Sequence, residues 1–181
     1  MNTEIKRILE DVRDGRLTVD DAELKIKMEP FSDLGYAKID HHRKIRQGAA
    51  EVIYGEGKTP EHIIGIVKNL REHGHDAILI TRLSREKADR IAEEIEFDYH
   101  ELCRIGIVGD IPEPDGIGKI VIATGGTSDI PVAEEAALTA EIYGNDVTRL
   151  YDVGVAGIHR LLAHSEELMS ASVIIAIAGM E

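Results

Sequence analysis

Apolar residues recur with a helical period over the first thirty positions of the chain. The apolar positions that share one face of the first segment are Ile5, Ile8, Leu9 and Val12. Gly15 ends this helix, and Thr18 begins a second one, with Asp21 three residues later in an imperfect capping box. Pro30 ends the second helix. Residues 1–33 are therefore predicted to form a helical hairpin that docks on a neighbouring part of the chain.

From residue 34 onward, short apolar runs alternate with helical segments. The runs that predict strands are residues 36–39, 51–54, 77–81 and 99–108. Thr59 and Pro60 open one helix, which runs to about His73, and Ser84 caps another. Cys103 falls inside the last apolar run, where a buried and unreactive thiol is expected. Residues 34–110 are predicted to form a small α/β domain.

Residues 111–118 are rich in proline and glycine, and we interpret them as a linker. Three nearly continuous apolar strands follow, at residues 120–123, 147–153 and 173–178. Helices are predicted between them, from about 131 to 143 and from about 158 to 169. Strands of this kind, separated by helices, indicate a parallel sheet that is covered on both faces. Residues 119–181 are thus predicted to form a three-layer αβα domain of the flavodoxin or Rossmann type.

Each of these three strands ends in a loop that carries chemically useful residues. The first loop holds Gly125, Gly126, Thr127, Ser128 and Asp129, the second holds Asp152, His159 and Arg160, and the third ends with Glu181. Glycine lets a backbone approach a ligand closely, and a helix N-terminus favours an anion. Because the carboxyl ends of parallel strands share one edge, we expect a site for anion binding and proton transfer there. The alternative is a set of tight turns with helix caps and ion pairs.

Two segments outside this sheet carry cations. The sequence GEGKT at residues 55–59 resembles the end of a phosphate-binding P-loop, but the full motif has glycine where this chain has Val52. A nucleoside triphosphatase is therefore not favoured, while Lys58 is interpreted as a phosphate-binding residue, with a solvated lysine as the alternative. Residues 40–46 gather cations around two histidines. Arg46 in that segment is a candidate for holding an anion, and a solvated basic face is the alternative.

Composition excludes several classes of protein. The 181 residues contain 21 Lys and Arg against 34 Asp and Glu, a formal net charge of −13, which disfavours nucleic acid and anionic membranes as partners. One cysteine, Cys103, excludes an internal disulfide and a multi-cysteine metal site, and we assign no metal ligands. No apolar run has membrane-spanning length, and the charged N-terminus is unlike a signal peptide. The sequence predicts a soluble, cytoplasmic protein.

Several longer stretches match one known family. They are EVIYG at 51–55, GKT at 57–59, PVAEEA at 131–136, YDVGVAGIHR at 151–160 and IAGME at 177–181. These stretches resemble the LarB family, the carboxylases of nickel-pincer-nucleotide cofactor biosynthesis, which carry a domain similar to the PurE aminoimidazole-ribonucleotide carboxylases. Compared with PurE, the pair Ser128-Asp129 matches, His159-Arg160 matches loosely, and the Thr-Pro that follows in PurE is absent. The resemblance implies that residues 119–181 are a PurE-like domain, truncated at its C-terminus.

The resemblance also implies a reaction. LarB-like enzymes carboxylate the pyridinium ring of nicotinic acid adenine dinucleotide with CO₂ and split the dinucleotide, which yields pyridinium-3,5-biscarboxylic acid mononucleotide and AMP. For this reaction, the candidate catalytic residues are Asp152, His159 and Glu181. The candidate substrate-binding residues are Arg46, Lys58, Gly125, Gly126, Thr127, Ser128, Asp129 and Arg160. Mg²⁺ is a candidate cofactor, and no tightly bound organic cofactor is expected.

Members of this family use a cysteine nucleophile that lies beyond the position of Glu181, and Cys103 is not its counterpart. We therefore expect these 181 residues to be inactive alone. Independently of the resemblance, three apolar strands with two helices leave part of the sheet uncovered, so we expect the sequence to be a fragment or another chain to cover that face. The family forms octamers, so a homo-oligomer is expected. Two other functions stay open, a PurE-type enzyme of purine biosynthesis and a non-catalytic nucleotide-binding or assembly module.

Overall fold

The computed structural model describes residues 3–28, 31–40 and 52–179. The chain divides into two compact units, Met1–Glu51 and Val52–Glu181. The predicted anion-binding residue Arg46 and the predicted catalytic residue Glu181 lie outside the described residues. None of the helices that are described is long and apolar enough to cross a membrane.

The first unit contains the predicted helical hairpin and a short β-hairpin. The helices are α1 (Thr3–Arg13) and α2 (Val19–Met28), and the strands are β1 (Phe31–Asp33) and β2 (Lys38–Asp40), which pair antiparallel. Thr18 caps α2 as predicted, because its hydroxyl oxygen accepts the Asp21 N–H at 3.1 Å and its hydroxyl donates to the Asp21 carboxylate at 2.6 Å. The single strand predicted at residues 36–39 is one arm of this β-hairpin.

The second unit begins with a four-stranded sheet. Its strands are β3 (Val52–Tyr54), β4 (Ile78–Thr81), β5 (Asp98–His100) and β6 (Ile105–Val108), in the order β3-β4-β6-β5, with only the β3–β4 pair parallel. Helices α3 (Pro60–Glu72) and α4 (Arg85–Ala92) connect them. The predicted caps are confirmed, since Thr59 accepts the His62 N–H at 3.3 Å and Ser84 accepts the Lys87 N–H at 3.4 Å.

The single strand predicted over residues 99–108 is wrong. The chain reverses there through a turn at residues 101–104, so that β5 and β6 pair antiparallel with each other. Cys103 lies in this turn and not in a strand, yet it is buried, and its thiol donates to the His100 carbonyl at 3.6 Å. The sequence gives no clear sign of such a reversal, because Leu102 and Cys103 are apolar like the strand that follows, although Leu102 is 60% exposed.

A three-stranded parallel sheet completes the second unit. Its strands are β7 (Lys119–Thr124), β8 (Asp146–Leu150) and β9 (Val173–Ile177), in the order β8-β7-β9. The connecting helices are α5 (Ile130–Ile142), α6 (Ile158–Leu162) and α7 (Ser165–Ser170). The predicted α/β class is confirmed. The one helix predicted from about 158 to 169 is two, and the Ser165 hydroxyl donates to the Leu162 carbonyl at the break.

Helix α5 packs against both sheets. Leu138 and Ile142 join a buried cluster with Leu79, Ile105 and Ile107 of the four-stranded sheet. On the other sheet, the small side chains Ala133 and Ala137 pack against the fully buried Ile122 of β7. Cover over the parallel sheet is uneven, because Val173 and Ile174 of β9 are each 50% exposed. This agrees with the expectation that three strands and two helices leave part of the apolar sheet uncovered.

The segment predicted as a linker, residues 111–118, forms no helix or strand. It is nevertheless tied to the turn after α5, because the N–H groups of Asp115 and Gly116 both donate to the Gly144 carbonyl at 3.0 Å. The domain boundary proposed at this segment stays a prediction.

Candidate functional site

The carboxyl ends of the three parallel strands meet at one edge, as the sequence pattern predicts. The Val153 N–H donates to the Thr124 carbonyl at 3.0 Å, and the Gly125 N–H donates to the Ile177 carbonyl at 2.9 Å. The loops after β8 and β9 are therefore bonded to the end of the central strand β7. In open α/β sheets, this edge is where ligands bind.

Asp129 holds two of these loops together. One carboxylate oxygen accepts the Gly126 N–H at 2.9 Å, and the other accepts the Gly179 N–H at 3.0 Å. The side chain thus joins the turn after β7 to the turn after β9. Sequence reasoning placed Asp129 among the ligand-binding residues, and the geometry gives it a positioning role at this edge.

Glycine is required where the loops touch. A Cβ atom at Gly154 would lie 2.3 Å from the Gly125 carbonyl oxygen, far inside the closest normal contact. A Cβ atom at Gly125 would lie 3.0 Å from the Cβ atom of Ala178. The first loop therefore packs closely against the backbone of the second and against Ala178 of the third.

The start of α5 is the place where the sequence predicts an anion-binding surface. Gly126 precedes a short 3₁₀ turn, Thr127–Asp129, which continues into the helix. Thr127 and Ser128 are exposed on this turn. The first N–H groups of a helix lack partners within it and carry a partial positive charge, so the exposed turn favours an anion.

Asp152 is held in an unusual backbone conformation at the end of β8. Its φ is +57°, and its N–H donates at 2.9 Å to the hydroxyl of Thr124, which is buried. Its carboxylate pairs with the Arg160 guanidinium, and both side chains are about half exposed. The structure thus brings together Asp152 and Arg160, two of the three site residues predicted after β8. The third, His159, is exposed next to Arg160 on α6.

A polar network behind β8 escaped sequence reasoning. Arg149 makes two hydrogen bonds to Glu141, at 2.5 and 2.8 Å, and the Tyr151 hydroxyl donates to Glu134 at 2.5 Å. Burial, and next the hydrogen bond to Glu134, raise the pKa of Tyr151. The sequence spacing could have indicated this network, because residues 149 and 151 share one strand face and residues 134 and 141 share one helix face.

Lys58 belongs to a different edge. It follows β3 in the four-stranded sheet and is half-buried, whereas residues 125–129 follow β7 of the parallel sheet. The loop that carries it is fixed by Lys87, whose ammonium donates to the carbonyls of Gly55 at 2.9 Å and Glu56 at 2.7 Å. The structure therefore separates Lys58 from the other predicted site residues.

Neither a reactive thiol nor a metal cluster is found in the part of the chain that is described. Cys103 is 5% exposed, and burial raises the pKa of its thiol, which disfavours the thiolate needed for attack. Among these same residues, no group of three His, Cys, Asp or Glu side chains could hold a metal ion.

Two comparisons relate the chain to known proteins. The family described as the LarB/PurE-like N-terminal domain matches residues 31–110. An uncharacterized protein of Methanocaldococcus jannaschii, MJ0165, is 35% identical over 193 residues, a match that covers 100% of this chain and 74% of that protein. The family match spans the four-stranded sheet, and the similarity to the relative extends through the parallel sheet as well.

Proposed function

The chain belongs to the LarB/PurE-like family, which is related to carboxylases, and we propose that it contributes the nucleotide-binding edge of a LarB-type carboxylase and hydrolase. The substrate is nicotinic acid adenine dinucleotide. CO₂ adds to C5 of its pyridinium ring, which loses a proton, and water cleaves the diphosphate. The products are pyridinium-3,5-biscarboxylic acid mononucleotide and AMP.

The observation that carries this proposal is the meeting of three glycine-containing loops at the carboxyl edge of the parallel sheet. Asp129 joins the first loop to the third, and Gly154 lets the second loop touch the first. The resulting surface is built from backbone donors beside a helix N-terminus. Such a surface suits a phosphorylated small molecule, even in a chain of net charge −13.

We assign roles by position on this edge. Thr127 and Ser128 bind a phosphate or carboxylate oxygen through their N–H and hydroxyl groups, since they are exposed at the helix start. Arg160, oriented by Asp152, places a positive charge at the same edge. His159 is exposed next to it and moves the proton that C5 releases.

The attacking thiolate of LarB-type chemistry does not come from Cys103, because its thiol is buried and its pKa is raised. We expect these 181 residues to release no AMP above background from nicotinic acid adenine dinucleotide and bicarbonate, with or without Mg²⁺. Robust AMP release that Cys103→Ala abolishes would contradict this assignment.

The function is tested on the product of the complete reading frame that encodes this chain. We expect incorporation of labelled CO₂ into a pyridinium product together with release of AMP. Arg160→Gln should lower turnover about tenfold or more, the size expected when a charge-assisted hydrogen bond to substrate is lost. Arg90→Gln, which removes an exposed arginine of α4, is the matched control and should leave turnover unchanged.

A binding comparison separates the two carboxylase classes. Nicotinic acid adenine dinucleotide should bind, whereas aminoimidazole ribonucleotide, the PurE substrate, should bind at least about tenfold more weakly, a difference of roughly 1.4 kcal/mol. The reverse preference, with carboxylation of the ribonucleotide, would replace this proposal by a PurE-type function. Binding of both without any turnover by the complete product would favour a non-catalytic module.

A further inference from the structure

Cations gather at the carboxyl edge of β3 and β4, in a chain whose net charge is −13. The cationic residues at this edge are Lys58, Arg82 and Arg104 on loops and turns, and Lys87 on α4. The carboxylates beside them are Glu56, Glu135 and Glu101, and Glu101 is paired with Arg85 of α4 at 3.1 Å. Cations therefore outnumber carboxylates at this edge, in contrast to the chain as a whole.

The strand register brings two of these cations face to face. Strands β4 and β6 are antiparallel with Ile80 opposite Gly106, and continuing that register places Arg82 opposite Arg104. The Leu83 N–H donates to the Arg104 carbonyl at 2.8 Å, and the Arg104 guanidinium donates to the Arg82 carbonyl at 3.4 Å. Like charges at opposed positions repel each other, and an anion between them relieves that repulsion.

Both arginines also have backbone conformations that suit glycine better. The φ of Arg82 is +55° and that of Arg104 is +58°, in the left-handed region that side chains disfavour. Among the described residues, Asp152 is the other non-glycine residue with positive φ, and it lies at the carboxyl edge of the parallel sheet. Backbone strain of this kind gathers where a side chain serves binding.

The two arginines are exposed, and their guanidinium groups make only long contacts with the residues described. The side chain of Arg82 is 50% exposed, with Glu135 at 3.6 Å, and within the described ranges no carboxylate lies within 4 Å of Arg104. Glu56 accepts a hydrogen bond from the Tyr54 hydroxyl. That bond raises the pKa of Tyr54, and the positive charges of Arg82 and Arg104 act in the opposite direction, which places both cations near the exposed tyrosine ring.

We propose that Arg82 and Arg104 form a second ligand site, which binds the phosphate group of a phosphomonoester or phosphoanhydride between their guanidinium groups. The planar forks match phosphate oxygens, and each can donate two hydrogen bonds. Lys58 adds a positive charge on the neighbouring loop, and the half-exposed ring of Tyr54 offers a surface for a base attached to the phosphate. The site does not depend on carboxylase activity.

Calorimetric titration of the 181-residue chain with inorganic diphosphate, and separately with AMP, tests the site at constant ionic strength. We expect binding at ligand concentrations of about 1 mM. The variant Arg82→Gln/Arg104→Gln should bind at least about tenfold more weakly, as expected for lost charge-assisted hydrogen bonds. The control Lys68→Gln/Arg90→Gln removes the same charge from exposed ion pairs on α3 and α4 and should bind like the wild type.

A second variant separates binding from folding. Arg104→Gly relieves the positive φ, so its melting temperature should not fall, while its affinity for diphosphate should fall. Tighter binding of AMP than of diphosphate, lost in Tyr54→Ala, would identify a nucleotide as the occupant, whereas equal binding would identify the phosphate group alone. Absence of binding by the wild type, or equal binding by Arg82→Gln/Arg104→Gln, would overturn the proposal. Equal weakening in the control would overturn it too.

Discussion

The two carboxyl edges of the second unit present different chemistry. At the parallel sheet, the charged groups are paired with their own surroundings, since Asp129 accepts two backbone N–H groups and Asp152 pairs with Arg160. The groups left to face outward at this edge are the backbone of the glycine-containing loops and the N-terminus of α5. At the edge of β3 and β4, the backbone is secured by Lys87 and the arginine side chains stay exposed.

This difference shows two ways in which an acidic chain can bind anions. Backbone N–H groups bind without adding net charge, and they demand close loop packing, hence the glycines. Arginine side chains bind at longer reach, and here they occupy strained backbone positions, each costing about 1 kcal/mol. Helix α5 contacts both edges, because it starts in the glycine turn and its Glu135 lies 3.6 Å from Arg82.

The largest expected effect comes from breaking the backbone contact at the parallel sheet. Gly154→Ala places a Cβ atom 2.3 Å from the Gly125 carbonyl oxygen. Because backbone must move to relieve this clash, we expect a loss of about 3 kcal/mol in the free energy of unfolding. Urea denaturation measures it.

Gly57→Ala is the matched control at the other edge. Gly57 has no positive φ, and an added Cβ atom would find open space there. Its stability should change by no more than about 0.5 kcal/mol in either direction. If Gly154→Ala and Gly57→Ala changed the stability equally, the loop at Gly154 would not be packed more closely than the loop at Gly57.

A smaller effect is expected from Asp129→Asn. The amide keeps one acceptor oxygen but turns an NH₂ group toward the second backbone N–H, so one hydrogen bond is lost. We expect a destabilisation of about 1 to 2 kcal/mol, measured by chemical denaturation. Asp146→Asn, at an exposed strand position with Lys119 at 3.8 Å, should cost less than about 0.5 kcal/mol. A neutral Asp129→Asn would show that Asp129 does not secure the edge.

The smallest expected effect concerns pH. The folded chain holds the Tyr151 proton more tightly than the unfolded chain, since burial and the bond to Glu134 raise its pKa above the ordinary value of 10.0. Stability from this group is therefore complete below about pH 10 and falls as pH rises further. Tyr151→Phe should lose about 1 kcal/mol at pH 7 and show a shallower alkaline decline.

The free energy of unfolding, measured from pH 7 to about pH 11, tests whether Tyr151 carries this pH dependence. The range spans the pKa of tyrosine in the unfolded chain. Tyr36→Phe, at an exposed tyrosine in the first unit, should keep the wild-type profile. A decline equally steep in Tyr151→Phe and in the wild type would show that the network behind β8 does not carry the alkaline sensitivity.

Most of the helices and strands, the caps at Thr18, Thr59 and Ser84, and the convergence of the three loops could be predicted, because periodicity and turn residues are local signals. The turn that holds Cys103 could not, since its apolar neighbours continue the strand pattern. The facing of Arg82 and Arg104 depends on antiparallel register, which is set by pairing at a distance along the chain. For the same reason, the positioning role of Asp129, fifty residues from Gly179, carried no local signal.

The central claim is that the glycine-containing edge of the parallel sheet binds the substrate nucleotide. Amide chemical shifts of the ¹⁵N-labelled chain, titrated with nicotinic acid adenine dinucleotide, test it directly. The amides expected to move most are Gly125, Gly126, Thr127, Ser128 and Gly154. Gly74, which follows α3, is the reference and should stay unmoved. Saturable shifts at this edge are the predicted result, and a titration that leaves these amides unmoved would contradict the account.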